Sequence, residues 1–488
     1  MNEVLNTIAP QVIWKYFAEI LQIPRPSKKE EKILAYLIDF AKKHQLEYQQ
    51  DKVGNVLIKA PAIPGYENRM TVVLQSHVDM VCEKNSETNH DFEKDPIEVF
   101  IEDGWVKAKG TTLGADDGIG VATQLALLAD KSIKRGAIEC LFTVDEETGL
   151  TGAFGLEPGF LEGKILLNLD SEDEGELFIG CAGGKDTVIK LPYAIENAPE
   201  DNVFYRIDIK GLKGGHSGDD IHKGLGNANK LLTRIVWKAA KDFGVRLAYL
   251  EGGNLRNAIA REAYAIVAVE KQSEKALQEF VAKSADEMAY EYAVTEPKLQ
   301  VTIDVAHVDS KQVLKVVDQN KLLNSLYACP HGVIAWSQRI PNFVETSTNL
   351  AAVRMEDGIA LITTSQRSSV ESAKEDIAQM VAACFDLAGA EVKHSNGYPG
   401  WAPDPNSEVR ALTVEAYKDL FNQEPDVKAI HAGLECGLIG DKYPGMDMIS
   451  YGPTIKGAHS PDERIQIETV VKFWDLTLEI LKRIPEKH

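Results

Sequence analysis

Cysteine is scarce in this sequence, and its few copies are far apart. Six cysteines occur in 488 residues, and no two of them form a C-x-x-C pair. They are Cys82, Cys140, Cys181, Cys329, Cys384 and Cys436. This spacing argues against a disulfide framework and a four-cysteine zinc site, and it is typical of a protein in a reducing compartment. We therefore expect a cytoplasmic protein.

Long hydrophobic runs and clusters of basic residues are also absent. No stretch reaches the eighteen or so apolar residues that cross a bilayer, and MNEVLNTIAP has neither the basic start nor the apolar core of a secretory signal. The chain has 53 Lys and Arg against 74 Asp and Glu, a net charge of −21. Such an acidic surface repels phosphate backbones and anionic lipids. We expect neither nucleic acid nor membrane as a partner.

The remaining composition is that of a large globular protein, with 44% hydrophobic and 26% charged residues. At about 150 residues per domain, the length predicts two or three domains. In the first half, apolar segments such as TVVLQSHV (71–78), AIECLFTV (137–144) and KILLNLD (164–170) alternate with helical patterns. This alternation predicts an α/β fold with a mostly parallel sheet sandwiched by helices.

Two local signals predict where elements begin and turn. Ser27 and Glu30 form the S-x-x-E pattern of a capping box ahead of the helical segment EKILAYLIDFAKK. The segment IEVFIEDGWVKAKG (97–110) predicts a hairpin that turns at Asp103 and Gly104.

Changes in composition predict a discontinuous domain and an insertion. Residues 182–200 are rich in Gly, Pro and acidic side chains, and a second Pro-rich and Gly-rich stretch covers 396–409. Between them lies a second series of strands and helices. We predict a catalytic domain built from 1–187 and 399–488, and an inserted α+β lid domain over 188–398.

Four short segments carry side chains that bind metal ions. They are QSHVDM with His77 and Asp79, GTTLGADDGIG with Asp116, FTVDEETG with Glu146 and Glu147, and LLNLDSED with Asp170. Each alone has an ordinary explanation, such as a surface ion pair, a solvated turn or a helix cap. Together they follow or adjoin apolar strands, whose carboxyl ends meet at one edge of a parallel sheet.

Several carboxylates at one edge would repel each other without a cation, and their pKa values would rise. A divalent metal removes that repulsion. Two ions that share a carboxylate need about five protein ligands and can activate a water molecule between them. The first half supplies His77, Asp116, Glu147 and Asp170, and the tail offers His459 in GAHSPDE.

The ordered motifs QSHVDM, LGADDG, VDEETG, NLDSED and GAHSPDE resemble those of the co-catalytic zinc peptidases, which include aminoacylase, glutamate carboxypeptidases and tripeptidase T. The segments GGHSGDDIHKG, GGNLRNAIARE, TTSQRSS and HAGLECG resemble the aminoacyl-histidine dipeptidase (Xaa-His dipeptidase) subfamily, whose bacterial members cleave carnosine. The likeness covers essentially the whole chain.

The resemblance implies two Zn²⁺ ions per chain, although Co²⁺ and Mn²⁺ also suit the ligand set. His77 and Asp170 would bind one ion, Glu147 and His459 the other, and Asp116 would bridge them. Glu146 would be the general base, and Asp79 would orient the His77 ring.

In the lid, the resemblance implies that His216 stabilises the oxyanion and that Asn257 and Arg367 hold the substrate's carboxylate. Glu435, in the tail, would meet the free amino group. The enzyme would be a cytoplasmic homodimer that hydrolyses dipeptides and prefers unblocked Xaa-His substrates such as carnosine. Whether His216 acts in its own chain or across the dimer stays open.

Two other functions remain open at this point. One is a related amidohydrolase, either a tripeptidase or an N-acyl amino acid deacylase. The other is a zinc-binding scaffold or sensor without turnover, but such a protein would need neither Glu146 nor Asp79.

Overall fold

Residues 3–487 are described by a computed structural model and divide into two units. The first unit runs up to Gly180 and resumes over Trp401–Ala429 and from Leu434 onward. The second unit comprises Cys181–Gly400 and Ile430–Gly433.

The first segment of the chain alternates helices and strands after a short 3-10 turn (Glu3–Thr7). In chain order its elements are α1 (Gln11–Ile20), α2 (Glu31–His44), β1 (Glu47–Gln50), β2 (Val56–Ala60), β3 (Val72–His77), β4 (Val99–Glu102), β5 (Trp105–Ala108), α3 (Ala115–Ala129), β6 (Ile138–Thr143), α4 (Glu146–Gly149), α5 (Thr151–Gly155), β7 (Ile165–Asn168) and β8 (Glu176–Cys181).

The middle segment has long strands and four helices among its described residues. Its elements are β9 (Gly183–Pro192), β10 (Ile195–Asn197), β11 (Asn202–Lys210), α6 (Ala228–Phe243), β12 (Arg246–Gly252), β13 (Ala263–Glu270), α7 (Glu274–Glu291), β14 (Gln300–Val305), β15 (Gln312–Leu314), α8 (Val316–Ala328), β16 (Gly332–Trp336), β17 (Val344–Glu356), β18 (Ile359–Ser368), α9 (Glu371–Asp386) and β19 (Glu391–His394), with a 3-10 turn at Lys271–Ser273.

The last segment supplies strands and helices mainly to the first unit. Its elements are α10 (Glu408–Phe421), β20 (Asp426–Ile430), α11 (Glu435–Lys442), β21 (Asp447–Ser450), β22 (Ile455–Lys456), β23 (Arg464–Gln466) and α12 (Ile467–Arg483).

The first unit is built on a sheet in the order β1-β2-β6-β3-β7-β21-β8-β20. Its central strands β6, β3, β7 and β21 pair in parallel. The pairs β1–β2, β2–β6 and β21–β8 are antiparallel. The predicted α/β class is confirmed, with parallel pairing concentrated at the centre of the sheet.

The three central strands of the first segment are buried on both faces and are mainly apolar. Every residue of β3 (VVLQSH), β6 (IECLFT) and β7 (ILLN) is buried, as expected for strands inside a parallel sheet. Helix α3 packs against β3 and α1. The carboxyl ends of these strands therefore lie together at one sheet edge.

A smaller sheet in the first unit has the order β22-β23-β5-β4. Strands β4 and β5 form the predicted hairpin, with Glu102 opposite Trp105. Asp103 and Gly104 have φ values of 49° and 81°, so both adopt the left-handed conformation that a tight two-residue turn requires. The hairpin prediction is confirmed.

The predicted capping box at the start of α2 is wrong. The helix begins at Glu31, and no side chain caps its amino end. The Ser27 hydroxyl instead donates a hydrogen bond to Oδ2 of Asp79 (2.7 Å). The Glu30 carboxylate accepts from the N–H groups of Lys28 and Asp145 (2.9 and 3.0 Å). Both side chains are thus used by tertiary contacts, which a local sequence pattern does not reveal.

The second unit contains a sheet in the order β14-β11-β13-β12-β17-β18-β9-β19, with β16 paired to β17. The pairs within it are antiparallel. Apolar residues from the sheet and from α6, α7, α8 and α9 form one buried core. Separate helices on an antiparallel sheet are typical of an α+β unit.

The boundaries of the two units differ from the predicted 187/188 and 398/399. The first falls at Gly180, because the glycine-rich segment after it begins strand β9, which pairs with β18 from Gly183 onward. The second falls at Gly400, since Gly184 and Tyr398 exchange backbone hydrogen bonds (3.1 and 2.8 Å). The catalytic and lid roles of the two segments stay predictions.

Residues 430–433 also differ from the prediction, which assigned the whole tail to the catalytic domain. They belong with the second unit. The N–H of Ala182 lies within hydrogen-bond distance of the carbonyls of Ile430 and Ala432 (3.0 and 3.1 Å).

Candidate metal centre and active site

The strands of the first unit bring the four predicted segments to one edge. His77 is the last residue of β3 and lies opposite Thr143, the last residue of β6. Glu146 and Glu147 begin α4 just after β6, and Asp170 lies two residues beyond the end of β7. Asp116 lies in the first turn of α3. The predicted convergence of these side chains is therefore present in the geometry.

The first ligand triad consists of His77, Asp116 and Asp170. Nε2 of His77 lies 3.1 Å from Oδ1 of Asp116 and 3.5 Å from Oδ1 of Asp170. One ligand atom from each residue lies within 4.8 Å of the others, a spacing that could hold one metal ion.

The second triad consists of Asp116, Glu147 and His459. Nε2 of His459 lies 3.1 Å from Oδ2 of Asp116 and 3.0 Å from Oε2 of Glu147. These ligand atoms also lie within 4.8 Å of one another. Asp116 thus presents one carboxylate oxygen to each imidazole, which is the arrangement expected of a carboxylate that bridges two ions.

The charges of this cluster fit a bound cation. Burial raises the pKa of Asp170 to about 8, aided by the nearby Asp116 and opposed by His77. Burial likewise raises the pKa of Glu172 to about 8, with Asp116 and Asp170 adding to the shift. Burial beside other carboxylates disfavours the charged form of both groups, and a nearby cation would offset that cost.

The raised pKa values of the two imidazoles show that the carboxylates of the cluster favour a positive charge beside them. Hydrogen bonds to Asp116 and Glu147 raise the pKa of His459 to about 11. The pKa of His77 is raised well above its usual value, since contacts with Asp170, Asp116 and Asp79 outweigh its burial. Divalent cations supply this charge through the same nitrogen and oxygen atoms, so the donor set fits a metal pair. Oε1 of Glu147 is buried and has no hydrogen-bond partner among residues 3–487, which also fits a ligand atom.

Asp79 connects the His77 ring to the turn that carries the two glutamates. Its Oδ1 lies 3.3 Å from Nδ1 of His77. The carboxylate accepts hydrogen bonds from the N–H groups of Glu146 and Glu147 (3.0 and 3.3 Å) and from the Ser27 hydroxyl. Despite its burial, these contacts lower the pKa of Asp79 to about 2. It is a fixed anion, as a partner of a ligating imidazole needs to be.

Glu146 lies beside the centre but outside the two triads that share Asp116. One of its carboxylate oxygens lies within 4.8 Å of ligand atoms of His77 and Glu147. Burial raises its pKa well above the usual value, and the carboxylates of Asp170 and Glu435 add to the shift. Its role as general base stays a prediction.

Glu435 is fully buried at the start of α11. Its Oε2 accepts hydrogen bonds from Nε2 of Gln75 in β3 (2.5 Å) and from the hydroxyl of Thr143, the last residue of β6 (2.7 Å). Its Oε1 is buried, and no group in the described part of the chain forms a hydrogen bond with it. Burial raises its pKa to about 7. Its predicted contact with a substrate amino group stays a prediction.

The predicted lid residues come together within the second unit. Nη2 of Arg367 lies 3.5 Å from Nε2 of His216, and Nη1 donates to the Tyr398 hydroxyl (2.9 Å). Asn257, Arg367 and Tyr398 line a cavity of about 640 Å³. A second cavity of about 810 Å³ is lined by His216 and Asn257 among others. Sequence reasoning gave Tyr398 no role, since nothing in its local sequence indicates the contact with Arg367.

The His216 ring has a defined orientation. Its Nδ1 accepts hydrogen bonds from the N–H groups of Gly218 and Asp219 (3.3 and 3.1 Å). With Nδ1 accepting these bonds, a neutral ring carries its proton on Nε2. A protonated Nε2 is the donor that an oxyanion needs.

Comparison with known proteins establishes the family. Residues 73–483 match the model of Peptidase family M20/M25/M40. The chain belongs to this family. The cytosol non-specific dipeptidase of Escherichia coli (strain K12) is 46% identical to this M20 peptidase over 483 residues, which cover 99% of both chains.

Solved structures agree with this assignment. The crystal structure of an aminoacylhistidine dipeptidase from Vibrio alginolyticus superposes with a TM-score of 0.93 at 44% identity, over all of both chains. A tripeptidase from Staphylococcus aureus shares the fold, with a TM-score of 0.57 at 16% identity, over 98% of this chain and 99% of that one. The predicted enzyme class, a metallopeptidase, is confirmed. M20 proteins generally bind metal ions, and the two triads are the candidate ligands here.

Among residues 3–487, no helix is both long enough and apolar enough to cross a bilayer.

Proposed function

We propose that this M20 peptidase hydrolyses dipeptides with a pair of divalent cations, Zn²⁺ in the first instance, held by His77, Asp116, Glu147, Asp170 and His459. The observation that carries the proposal is the position of Asp116, whose two oxygens each lie 3.1 Å from a different imidazole. Two neighbouring cations bound there would activate a water molecule and polarise the scissile carbonyl.

The protein's own side chains perform the proton transfers and the positioning. Glu146 takes the proton of the attacking water and passes it to the leaving amine. Asp79 holds the His77 ring and, through two backbone N–H groups, the turn that carries Glu146. Nε2–H of His216 donates to the developing oxyanion. This assignment is supported by the two N–H groups that occupy its Nδ1.

Charged and polar side chains of the protein bind the two ends of a small peptide substrate. Arg367 and Asn257, which line the same cavity, bind the carboxylate of the substrate. Glu435 is the carboxylate that meets its free amino group. Recognition of both termini limits the substrate to a short, unblocked peptide.

We propose Xaa-His dipeptides such as carnosine as preferred substrates. The aminoacylhistidine dipeptidase from Vibrio alginolyticus supports this preference by its name, whereas the Escherichia coli relative is named as non-specific. The latter name also supports a cytoplasmic location.

We further propose a homodimer. Light scattering measures that state, and activity regained by mixing E146Q with H216A chains would indicate that His216 serves the partner's site.

The test is a substrate panel on protein stripped by a chelator and reloaded with single divalent ions. Carnosine, other unblocked dipeptides, Gly-Gly-Gly and an N-acetyl amino acid are assayed side by side. We expect dipeptide cleavage that is lost on chelation and returns with Zn²⁺, Co²⁺ or Mn²⁺. Faster cleavage of the tripeptide or the acetylated substrate would favour the related amidohydrolase instead.

A further inference from the structure

The loop that leads into Asp116 is held by a carboxylate that the proposed chemistry does not use. Glu463 is 2% exposed and lies directly before β23. Its two oxygens accept hydrogen bonds from four successive backbone N–H groups. These belong to Leu113 (2.7 Å), Gly114 (2.9 Å), Ala115 (2.7 Å) and Asp116 (3.3 Å).

Arg25 holds the carbonyl side of the same loop. Its Nη2 donates to the carbonyl of Gly114, and its Nη1 donates to the carbonyls of Val78 and Asp79 (2.9 and 2.7 Å). Arg25 is also only 2% exposed. One guanidinium therefore connects the Asp116 loop to the chain that follows His77.

The close approach of Arg25 requires glycine at position 114. Gly114 has a φ of 71°, and a Cβ there would lie 2.5 Å from Nη2 of Arg25 and 2.9 Å from Sδ of Met80. The loop is thus shaped to lie between the guanidinium and the Glu463 carboxylate.

Glu463 and His459 lie on one short connection, between β22 and β23. The connection is braced internally, because the Ser460 hydroxyl donates to the carbonyl of Gly457 (2.7 Å) and the N–H of Glu463 donates to the carbonyl of Ser460 (3.0 Å). The segment that supplies one imidazole therefore also fixes the backbone of the bridging carboxylate.

We propose that Glu463 and Arg25 are positioning residues that hold the Asp116 carboxylate with one oxygen toward each imidazole, and so allow two cations to bind together. The proposal rests on the proposed function, because it assigns Asp116 as the bridge. Without these contacts the loop can turn, and Asp116 then serves one ion at the expense of the other.

The test is metal binding by E463Q, with E139Q as the matched control. Glu139 is also 2% exposed and accepts backbone hydrogen bonds, from Glu162 and Gly163 (2.9 Å each), but it lies outside the two triads. The number of Zn²⁺ ions per chain and their dissociation constants are measured by competition with a chromophoric chelator, on the full chain. We expect two ions in the wild type and in E139Q, and about 10–100-fold weaker binding of the second ion in E463Q.

The activity of E463Q should fall at limiting zinc and largely recover at excess zinc, with KM unchanged. A role confined to stability would instead lower the melting temperature and leave both dissociation constants at their wild-type values, and that result would overturn the proposal. If E463Q does not fold, R25K decides, because lysine keeps the charge but cannot span the three carbonyls. A wild type that binds fewer than two ions would instead contradict the proposed function.

Discussion

The neighbouring residues Asp116 and Asp117 have pKa values that are shifted in opposite directions. The pKa of Asp116 is lowered, because hydrogen bonds from His459 and His77 outweigh its burial. The pKa of Asp117 is raised well above its usual value by burial and by the charge of Asp170. Asp117 accepts a hydrogen bond from the N–H of Gly120 (3.2 Å) in the first turn of α3. One aspartate therefore faces the metal ligands, and the next faces the helix.

Glu146 and Glu147 differ in a similar way, because Glu147 belongs to a triad that contains Asp116, whereas Glu146 lies beside it. E146Q should lower kcat by about 10²–10⁴-fold or more, because an amide cannot accept the proton of the attacking water. Its zinc content should match that of the wild type, since Glu146 lies outside the two triads that share Asp116. Steady-state kinetics on a dipeptide and metal analysis of the same samples provide the measurement.

The control for this variant is E157Q, which removes an exposed carboxylate paired with Lys52 (2.8 Å). Its kcat and zinc content should both stay at the wild-type level. If E146Q kept wild-type turnover, Glu146 would not be the base. If the wild type and E146Q both bound zinc and neither cleaved any peptide, the scaffold hypothesis would be favoured.

At the scale of elements, the short segment Ile430–Gly433 shows how a tail residue joins the second unit. Nε2 of His431 lies 2.7 Å from the Ser347 hydroxyl on β17. Burial, together with the positive charge of Arg367, lowers the pKa of His431 to about 3. The ring therefore stays neutral in the folded chain at pH values where it is protonated in the unfolded chain.

This difference predicts acid sensitivity of the fold. An unfolded histidine has a pKa of about 6.5, so the stability that neutral His431 provides is fully present above that pH. It decreases by about 1.4 kcal/mol per pH unit as the pH falls from about 6.5 toward the folded pKa, because the unfolded state then binds more protons. Denaturant unfolding between pH 7.5 and 4.5 should show a shallower decrease for H431Q than for the wild type.

H307Q, which changes an exposed histidine, serves as the reference for this measurement. Its unfolding free energy should follow the wild type across the pH range. Parallel curves for H431Q and the wild type would contradict the assigned pKa shift.

The sequence predicts the ligands that lie at strand ends, but not the side chains that hold the loop before Asp116. His77 ends a mainly apolar, fully buried strand, and Glu147 and Asp170 follow two others, so their meeting at one sheet edge follows from the pattern. Arg25 and Glu463 act on backbone groups distant in sequence, a kind of contact that no local pattern reports.

The boundary after Gly180 was missed for a related reason. Glycines that begin β9 look like a linker in the sequence, but here they allow close backbone contact, since a Cβ at Gly183 would lie 2.5 Å from the backbone of Tyr398. Whether glycine marks a loop or a tightly packed strand is decided by its partners, which the sequence does not name.

Within the whole chain, the candidate metal ligands and the large apolar core that includes helices α6 to α9 belong to different units. Within residues 3–487, both triads belong to the first unit. The large apolar core of the second unit is formed by its own sheet and helices. A ligand that binds the folded state stabilises the part of the protein that binds it, by an amount that grows with the free ligand concentration relative to its Kd.

Metal removal should therefore loosen the first unit selectively. We expect a chelator to increase amide hydrogen exchange at residues 113–117, 145–148 and 457–463, because these segments carry the proposed ligands Asp116, Glu147 and His459. Exchange in β11 and β13, which form eight register pairs in the second unit, should stay unchanged. Mass spectrometry of the full chain with chelator, and again after zinc is restored, measures both regions in one sample. An equal increase in β11 and β13 would show that the second unit also depends on the ions, and it would contradict the assignment of all metal-dependent stability to the first unit.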